Sequence, residues 1–460
     1  MIATAPPAAL EELVLTALEA VRAGRAERGG PLPAGGPASV DGGMRRVIGE
    51  RLGEDRTAAG VALEELARAA AYGAADPSHP ACAGHLHCPP LDVAVAADLV
   101  VSALNPSLDS WDQAPGGQTF EDTALDVIAG LAGWTRASGA FTTGGTESNL
   151  MGLLLAREHG GRGPRTRVLC SEAAHFSIDR GAWLLGLEAD VVRLPVDERH
   201  RLRPDALAAA LGRFGEGCAV VATAGTTDLG AVDPLPEIAR LARAHGAWLH
   251  VDAAYGGGAL LSRRLAPLLN GIELADSIAL DLHKLGWQPV PAGVFLARGE
   301  RALDCLERQV AYLNPADDVD AGLPSRIGRS LRTTRRLDAF KVAVTLRTWG
   351  TEGLGELVDR CHDLAIHAAE RVEASPHLEP LTPPVLTSVV FRYRSRRRAA
   401  DAVNAGLRRR LLRSGAAVVG RSEVKGAVWL KLTLLNPWAA TTDLDAVLEA
   451  VVAAGEEEDR

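Results

Sequence analysis

Apolar residues recur at helical spacing over residues 8–25 and 56–73, which predicts two helices near the start of the chain. Between them lies RGGPLPAGGPASVDGG, a stretch so rich in Gly and Pro that it reads as a loop. From about residue 90 to 300 the pattern changes. Short apolar or β-branched runs alternate with helical stretches such as 233–245. The runs are RVLCSE (167–172), ADVVRLP (189–195), CAVVATAG (218–225), AWLHVDAA (247–254) and SIALD (277–281). Strands alternating with helices predict an α/β architecture with a mainly parallel sheet covered on both faces. Ligands of such sheets bind at the carboxyl ends of the strands. Ser171, Thr223, Asp252 and Asp281 fall there.

Residues 335–373 predict one or two long helices. The segments VLTSVVFRY, VWLKLTLLN and TTDLDAVLEAVVAAG predict a smaller α+β domain after about residue 380. The expected organisation is a helical segment over 1–76, a large domain over 77–340 and a small domain over 341–460. The tail EEEDR is expected to fray.

Composition narrows the function. At 460 residues the chain can bury a substantial core. Its net charge of −9 disfavours nucleic acid as a partner. The cluster Arg394, Arg396, Arg397 and Arg398 reads as a solvated surface rather than a binding patch. No uncharged run of about 18 apolar residues occurs, so no transmembrane span is expected. The N-terminus lacks the basic start and cleavable apolar core of a signal peptide. Six dispersed cysteines without a CxxC pair point to a reducing, cytoplasmic setting.

Four short motifs carry candidate chemistry. FTTGGTESNL (141–150) opens a helix with a Gly-Gly-Thr turn, whose free N–H groups suit a phosphate. It lacks the GxxxxGK[ST] pattern of a nucleotide triphosphate loop. SEAAHFSID (171–179) presents His175 after a strand, and HVDAAYGGG (250–258) ends a strand on Asp252. DLHKLGWQ (281–288) carries Lys284, one of only four lysines in the chain. Taken singly, each has a bland reading: a helix cap, a surface histidine, a turn carboxylate, a surface lysine. Together they supply what pyridoxal 5'-phosphate needs, which is a lysine, a carboxylate for the pyridine nitrogen and an anion cradle.

These motifs resemble those of the pyridoxal-phosphate-dependent group II amino acid decarboxylases, of the aspartate aminotransferase fold (fold type I). The resemblance runs from about Pro77 into the C-terminal domain. It implies a mainly parallel seven-stranded sheet and a small C-terminal α+β domain. It implies that Lys284 binds the cofactor covalently, that Asp252 pairs with the protonated ring nitrogen and that His175 stacks on the ring. Gly145, Thr146 and His283 would contact the phosphate, and Thr227 would lie near the ring and Asp252. Asp281 would turn the strand end without facing the phosphate, because like charges repel. The family forms homodimers with the active site at the subunit interface, which would leave the N-terminal helices to wrap a partner.

HPACAGHLHCPPL (79–91) and SLDSWDQAPGGQ (107–118) resemble the substrate-pocket segments of the family. Where its aromatic-substrate members place rings, this chain has His87, Cys88 and Asp109. A carboxylate suits a substrate with a distal ammonium. The resemblance therefore implies the branch acting on diamino acids: 2,4-diaminobutyrate, ornithine or lysine. A metal site at His85, His87 and Cys88 would lack a fourth ligand. The aromatic members carry a proton-donating tyrosine on a mobile loop. The matching stretch, 317–336, holds none, and Arg326 falls near that place. His175 or a residue of a second subunit would then supply the proton. The alternatives are an acidic or aromatic substrate, an aminotransferase using Arg332, Arg335 or Arg336 for a second carboxylate, and a non-catalytic relative.

Overall fold

The computed structural model describes residues 7–49, 52–53, 57–160 and 165–460. The chain divides into two compact units. The larger comprises Leu86–Asp363 and Pro384–Thr387; the other comprises Met1–His85, Leu364–Pro383 and Ser388–Arg460.

The larger unit is built on a seven-stranded sheet. Its strands are β1 (Ala137–Thr142), β2 (Val168–Ser171), β3 (Val191–Leu194), β4 (Ala219–Thr223), β5 (Trp248–Ala253), β6 (Ser277–Asp281) and β7 (Gly293–Arg298). Their order is β1-β7-β6-β5-β4-β2-β3. Neighbours from β6 through β3 pair in parallel, whereas β7 runs antiparallel to both β1 and β6. The sheet is therefore mostly parallel and seven-stranded, as the resemblance implied. All five strands expected from the apolar runs are present. β1 (ASGAFT) and β7 (GVFLAR) escaped the reading: β1 has no β-branched residue until its final Thr142, and β7 follows a long turn.

Both faces of this sheet are covered, which explains the near-continuous burial of its strands. On one face Val168, Cys170, Ala219 and Val221 pack with Leu153, Ala156, Ile178 and Ala182 of flanking helices. Elsewhere Met151 and Leu155 of the helix Gly145–His159 pack on Phe295 and Ala297 of β7. The core thus fixes the helix that starts at the Gly-Gly-Thr turn.

The other unit carries helices Pro7–Arg28, Pro37–Ile48 and Ala59–Gly73. The first and third match expectation, although Arg56 lies outside the described residues. The second overturns part of the expected loop. Pro37 starts it, and Val40, Met44 and Val47 recur at helical spacing despite Gly42 and Gly43. An antiparallel sheet completes this unit, ordered β10-β11-β9-β8. Its strands are β8 (Leu378–Pro380), β9 (Ser388–Tyr393), β10 (Gly420–Val424) and β11 (Ala427–Thr433). Helices Ala400–Ser414 and Thr441–Glu458 cover it, burying Phe391, Leu407, Leu430 and Val451. The long helix Ala339–Ala374 breaks at Gly350, whose φ is 60°.

Candidate active site

The ends of β1, β2, β4, β5 and β6 and the segments that follow them build one cavity of about 460 Å3 in the larger unit. The first turn leaves β1 and enters the helix Gly145–His159. Glu147 caps it by accepting both the N–H and the hydroxyl of Thr143, each at 2.7 Å. Gly145 must lack a side chain: a Cβ there would stand 2.8 Å from Cβ of Ala254 and 3.3 Å from Oδ2 of Asp281. The close approach of three segments leaves a backbone-lined recess at a helix start, the geometry of an anion cradle.

Lys284 follows β6. Its Nζ lies 2.8 Å from Oδ2 of Asp281. That carboxylate side chain is only 2% exposed, against 19% for the lysine. Asp281 was expected only to turn the strand end. It lines the cavity and holds the ammonium, because a buried carboxylate needs a counter-charge. Nε2 of His283 stands 3.6 Å from the same oxygen. Burial pulls the His283 pKa down, with Asp281 opposing.

Asp252 ends β5's polar pattern. It accepts a hydrogen bond from the Ala254 N–H at 3.1 Å and from Nδ2 of Asn149 at 2.8 Å. Sequence reasoning missed Asn149, although its position one helical turn beyond Gly145 puts it on the same helix face. His175 stands on the turn after β2, with Nδ1 2.8 Å from Oγ of Ser177. Burial lowers its pKa and the Asp252 carboxylate partly restores it.

Gly145, Thr146, His175, Thr227, Asp252, His283 and Lys284 all line this cavity. Of the strand-end residues, Thr223, Asp252 and Asp281 reach it, whereas Ser171 does not. His87, Cys88 and Asp109 are not among its lining residues. His87 is exposed. Cys88 is buried and donates its thiol to the His283 carbonyl at 3.2 Å, and burial pushes that thiol up to about 12. Asp109 is buried, and its Oδ1 has no hydrogen-bond partner among the described residues.

The 317–336 segment is tied down by arginines. Arg326 grips Asp122 with both nitrogens, one at 2.8 Å. Arg332 binds Glu147 at 2.9 Å, Arg335 binds Glu121 at 2.5 and 3.0 Å, and Arg336 binds Asp98 at 2.6 Å. Each of the three arginines that an aminotransferase could have used is already paired with a carboxylate of its own chain. Tyr312 is 83% exposed on a turn.

The residues fit pyridoxal phosphate. Lys284 supplies the amine, Asp252 a buried carboxylate, the Gly145 turn a cradle and His175 a flat ring. Two buried atoms on the wall, Thr223 Oγ1 and Asp281 Oδ1, have no partner among the described residues and remain able to bond a ligand.

A mostly parallel sheet with a lysine, a carboxylate and an anion cradle at its strand ends defines a fold type I pyridoxal-phosphate enzyme. Residues 44–394 match the family described as the pyridoxal-dependent decarboxylase conserved domain, and the chain belongs to it, as a pyridoxal-phosphate-dependent amino acid decarboxylase. It is 44% identical over 421 residues to an L-2,4-diaminobutyrate decarboxylase of Rhizobium meliloti (strain 1021), covering 89% of this chain and 85% of that one. It is 36% identical to a second L-2,4-diaminobutyrate decarboxylase, from Acinetobacter baumannii, over 82% of this chain and 80% of that one. Among solved structures it resembles the glutamate decarboxylase domain of diaminobutyrate-pyruvate transaminase and L-2,4-diaminobutyrate decarboxylase from Vibrio parahaemolyticus. That likeness has a TM-score of 0.86 at 30% identity and covers 97% and 96% of the two chains.

Proposed function

We propose that this enzyme removes the α-carboxylate of an L-diamino acid of the 2,4-diaminobutyrate, ornithine or lysine type, releasing carbon dioxide and the diamine. The observation that carries the chemistry is the convergence of Lys284, Asp252 and His175 on one cavity beside the Gly145 cradle. The two diaminobutyrate decarboxylases among its relatives support the substrate. The pairing of Arg332, Arg335 and Arg336 with carboxylates argues against an aminotransferase.

Pyridoxal phosphate, when bound, supplies a sink for the electron pair left at Cα. The chain's residues do the rest. Lys284 would hold the cofactor through its amine and would reclaim it from the product amine. The Asp252 carboxylate would keep the ring nitrogen protonated by charge pairing. Gly145, Thr146 and His283 would hold the phosphate, with Thr227 near the ring and Asp252. His175 stacks on the ring and is the proposed carrier of the proton that replaces carbon dioxide at Cα. The tethering of Arg326 and the absence of tyrosine from 317–336 leave that segment without an obvious donor.

Asp109 is the proposed partner of the distal ammonium, with His87 and Cys88 in the same pocket wall. Its buried, unpartnered oxygen supports this, since a buried carboxylate oxygen needs a donor. We include in this proposal a homodimer with a shared active site, the N-terminal helices wrapping the second chain. Six free cysteines support a cytoplasmic setting.

The test is carbon dioxide release by the cofactor-loaded enzyme from diaminobutyrate, ornithine, lysine, aspartate, glutamate, tyrosine and tryptophan. Release from a diamino acid alone is expected, and Asp109→Asn should raise its KM selectively. Release from only an acidic or aromatic substrate overturns the substrate assignment. A yellow protein that releases none overturns the decarboxylation.

A further inference from the structure

Behind the cavity wall lies a continuous line of buried polar groups. Trp248 Nε1 is 3.0 Å from Ser277 Oγ, which is 2.9 Å from Nδ1 of His250. His250 Nε2 is 2.9 Å from Oδ1 of Asn149, whose Nδ2 is 2.8 Å from Oδ2 of Asp252. The same Nδ2 is 2.8 Å from Oγ of Ser177, which reaches Nδ1 of His175 at 2.8 Å. Asn149, Ser177, His250 and Ser277 are each no more than 1% exposed.

The two ends of this line leave no freedom in the protons between them. An indole N–H can only donate, and a carboxylate can only accept. Asp252 accepts from Asn149 Nδ2, so the Asn149 carbonyl oxygen faces His250 and meets a proton on its Nε2. His250 is kept neutral by burial, so its Nδ1 accepts from the Ser277 hydroxyl, which itself accepts from Trp248. Both hydrogens of the Asn149 amide face the cavity side. One goes to Asp252. The other goes to Ser177, whose hydroxyl is then directed at His175 Nδ1. The Ser177 backbone N–H, 3.3 Å from the same nitrogen, also needs it as an acceptor. His175 is left with its proton on Nε2.

We infer that Asn149 is a positioning residue that locks Asp252 and His175 into one proton-ordered unit, fixing the rotamer of the carboxylate and the Nε2-protonated tautomer of the imidazole together. This deepens the reading above and rests on Asp252 and His175 holding pyridoxal phosphate. Its signature differs from that of a packing residue because the amide's two hydrogens have separate addresses. Asn149→Asp keeps the shape but removes both donors. A carboxylate there competes with Asp252 for one proton and takes the Ser177 hydroxyl for itself. Ser177 then no longer donates to His175 Nδ1, and only the Ser177 backbone N–H is left to hold the Nε2-protonated tautomer. Ser177→Ala removes the second branch and spares the first.

The experiment is neutron diffraction on deuterated crystals of the cofactor-loaded enzyme, together with absorbance titration of pyridoxal phosphate into the apo forms of wild type, N149D and S177A. Deuterium is expected on Nε2 and not Nδ1 of His175 in the wild type. N149D should bind the cofactor at least about tenfold more weakly, the scale of a lost hydrogen bond to a charged group. S177A should stay within about threefold of wild type, because the Asn149–Asp252 bond survives. Deuterium on Nδ1 of wild-type His175 overturns the inference, and so does N149D binding as tightly as wild type. The neutron arm needs no variant to fold. Lys284→Ala separates the two readings: if it keeps the wild-type visible band, the cofactor assignment itself fails, whatever Asn149 does.

Discussion

Gly152 occupies the middle of the helix Gly145–His159, where glycine ordinarily weakens a helix by about 1 kcal/mol relative to alanine. Gly152→Ala should nonetheless destabilise this protein. An added Cβ would stand 2.4 Å from Nδ1, 2.6 Å from Cε1 and 2.7 Å from Cγ of His250. That ring is 0% exposed and is held at both nitrogens, by Ser277 and Asn149 at 2.9 Å each. It cannot swing aside without giving up a bond. Overpacking costs about 1–3 kcal/mol, and a strained or broken hydrogen bond adds about 1 kcal/mol. The helix propensity gain of about 1 kcal/mol offsets part of this. The net expectation is a loss of about 1–3 kcal/mol. Urea unfolding followed by circular dichroism measures it, with Gly212→Ala as the control. Gly212 also lies in a helix, Pro204–Phe214, but a Cβ there meets nothing within 4 Å. G212A should hold or raise the unfolding midpoint while G152A lowers it and weakens cofactor binding. A G152A midpoint at or above wild type would refute the argument that His250 cannot move.

Lys284→Ala should abolish turnover and the visible absorbance of the lysine-bound cofactor while leaving the circular dichroism spectrum intact; retained turnover would sink the assignment. Arg335→Met should cost about 3–5 kcal/mol, because it leaves Glu121 buried without its counter-charge. Adding Glu121→Gln should recover part of that loss, since Gln can still accept the Phe141 N–H that Glu121 binds at 3.1 Å. Stability should also depend on acid through His250, which burial holds down at about 4, with Asp252 opposing. The unfolded chain takes up that proton from about pH 6.5 downward, while the folded chain resists it until about pH 4. The folded state therefore keeps its full margin above about pH 6.5 and loses on the order of 1–3 kcal/mol as pH falls towards 4. His250→Gln should flatten the urea midpoint over that window, and an unchanged slope would show that another group is responsible.

The parallel strands were legible because each is a short, largely apolar run, and β4, β5 and β6 bring Thr223, Asp252 and Asp281 to the cavity. β1 was not, because Ala, Ser and Gly fill most of it and its strand character comes from pairing with β7; β7, itself an apolar run, lies beyond the regular alternation of strands and helices. Gly145, Thr146, His175, Asp252, His283 and Lys284 sat in short recognisable strings that meet in one cavity, whereas the strings carrying His87, Cys88 and Asp109 do not reach it. Asn149, Ser277 and Gly152 were invisible for the opposite reason. Their importance comes from His250, 101 residues from Asn149 and 27 from Ser277 in the sequence, and no local pattern encodes that meeting. The helix Pro37–Ile48 was masked by its own glycines. The three arginines of 332–336 looked available for a ligand only because their carboxylate partners lie far off in sequence.

The sheet's one reversed strand has a consequence for how the enzyme keeps its amine at hand. Because β7 runs back beside β6, with Asp281 opposite Gly293, residues 282–292 form a closed hairpin loop rather than a helical crossover. The loop is laced to itself: Leu282 N bonds Ala292 O at 2.8 Å, Gln288 N bonds Leu282 O at 3.0 Å, and Trp287 is 0% exposed within it. Lys284 is thus a short tether on a stiff mount. Its amine is presented to the cavity at an effective concentration set by the reach of one side chain, far above that of any amine free in solution. If Lys284 holds the cofactor as proposed, a substrate or product bearing its own second amino group would compete with that local amine, and the hairpin would weigh the competition towards the protein.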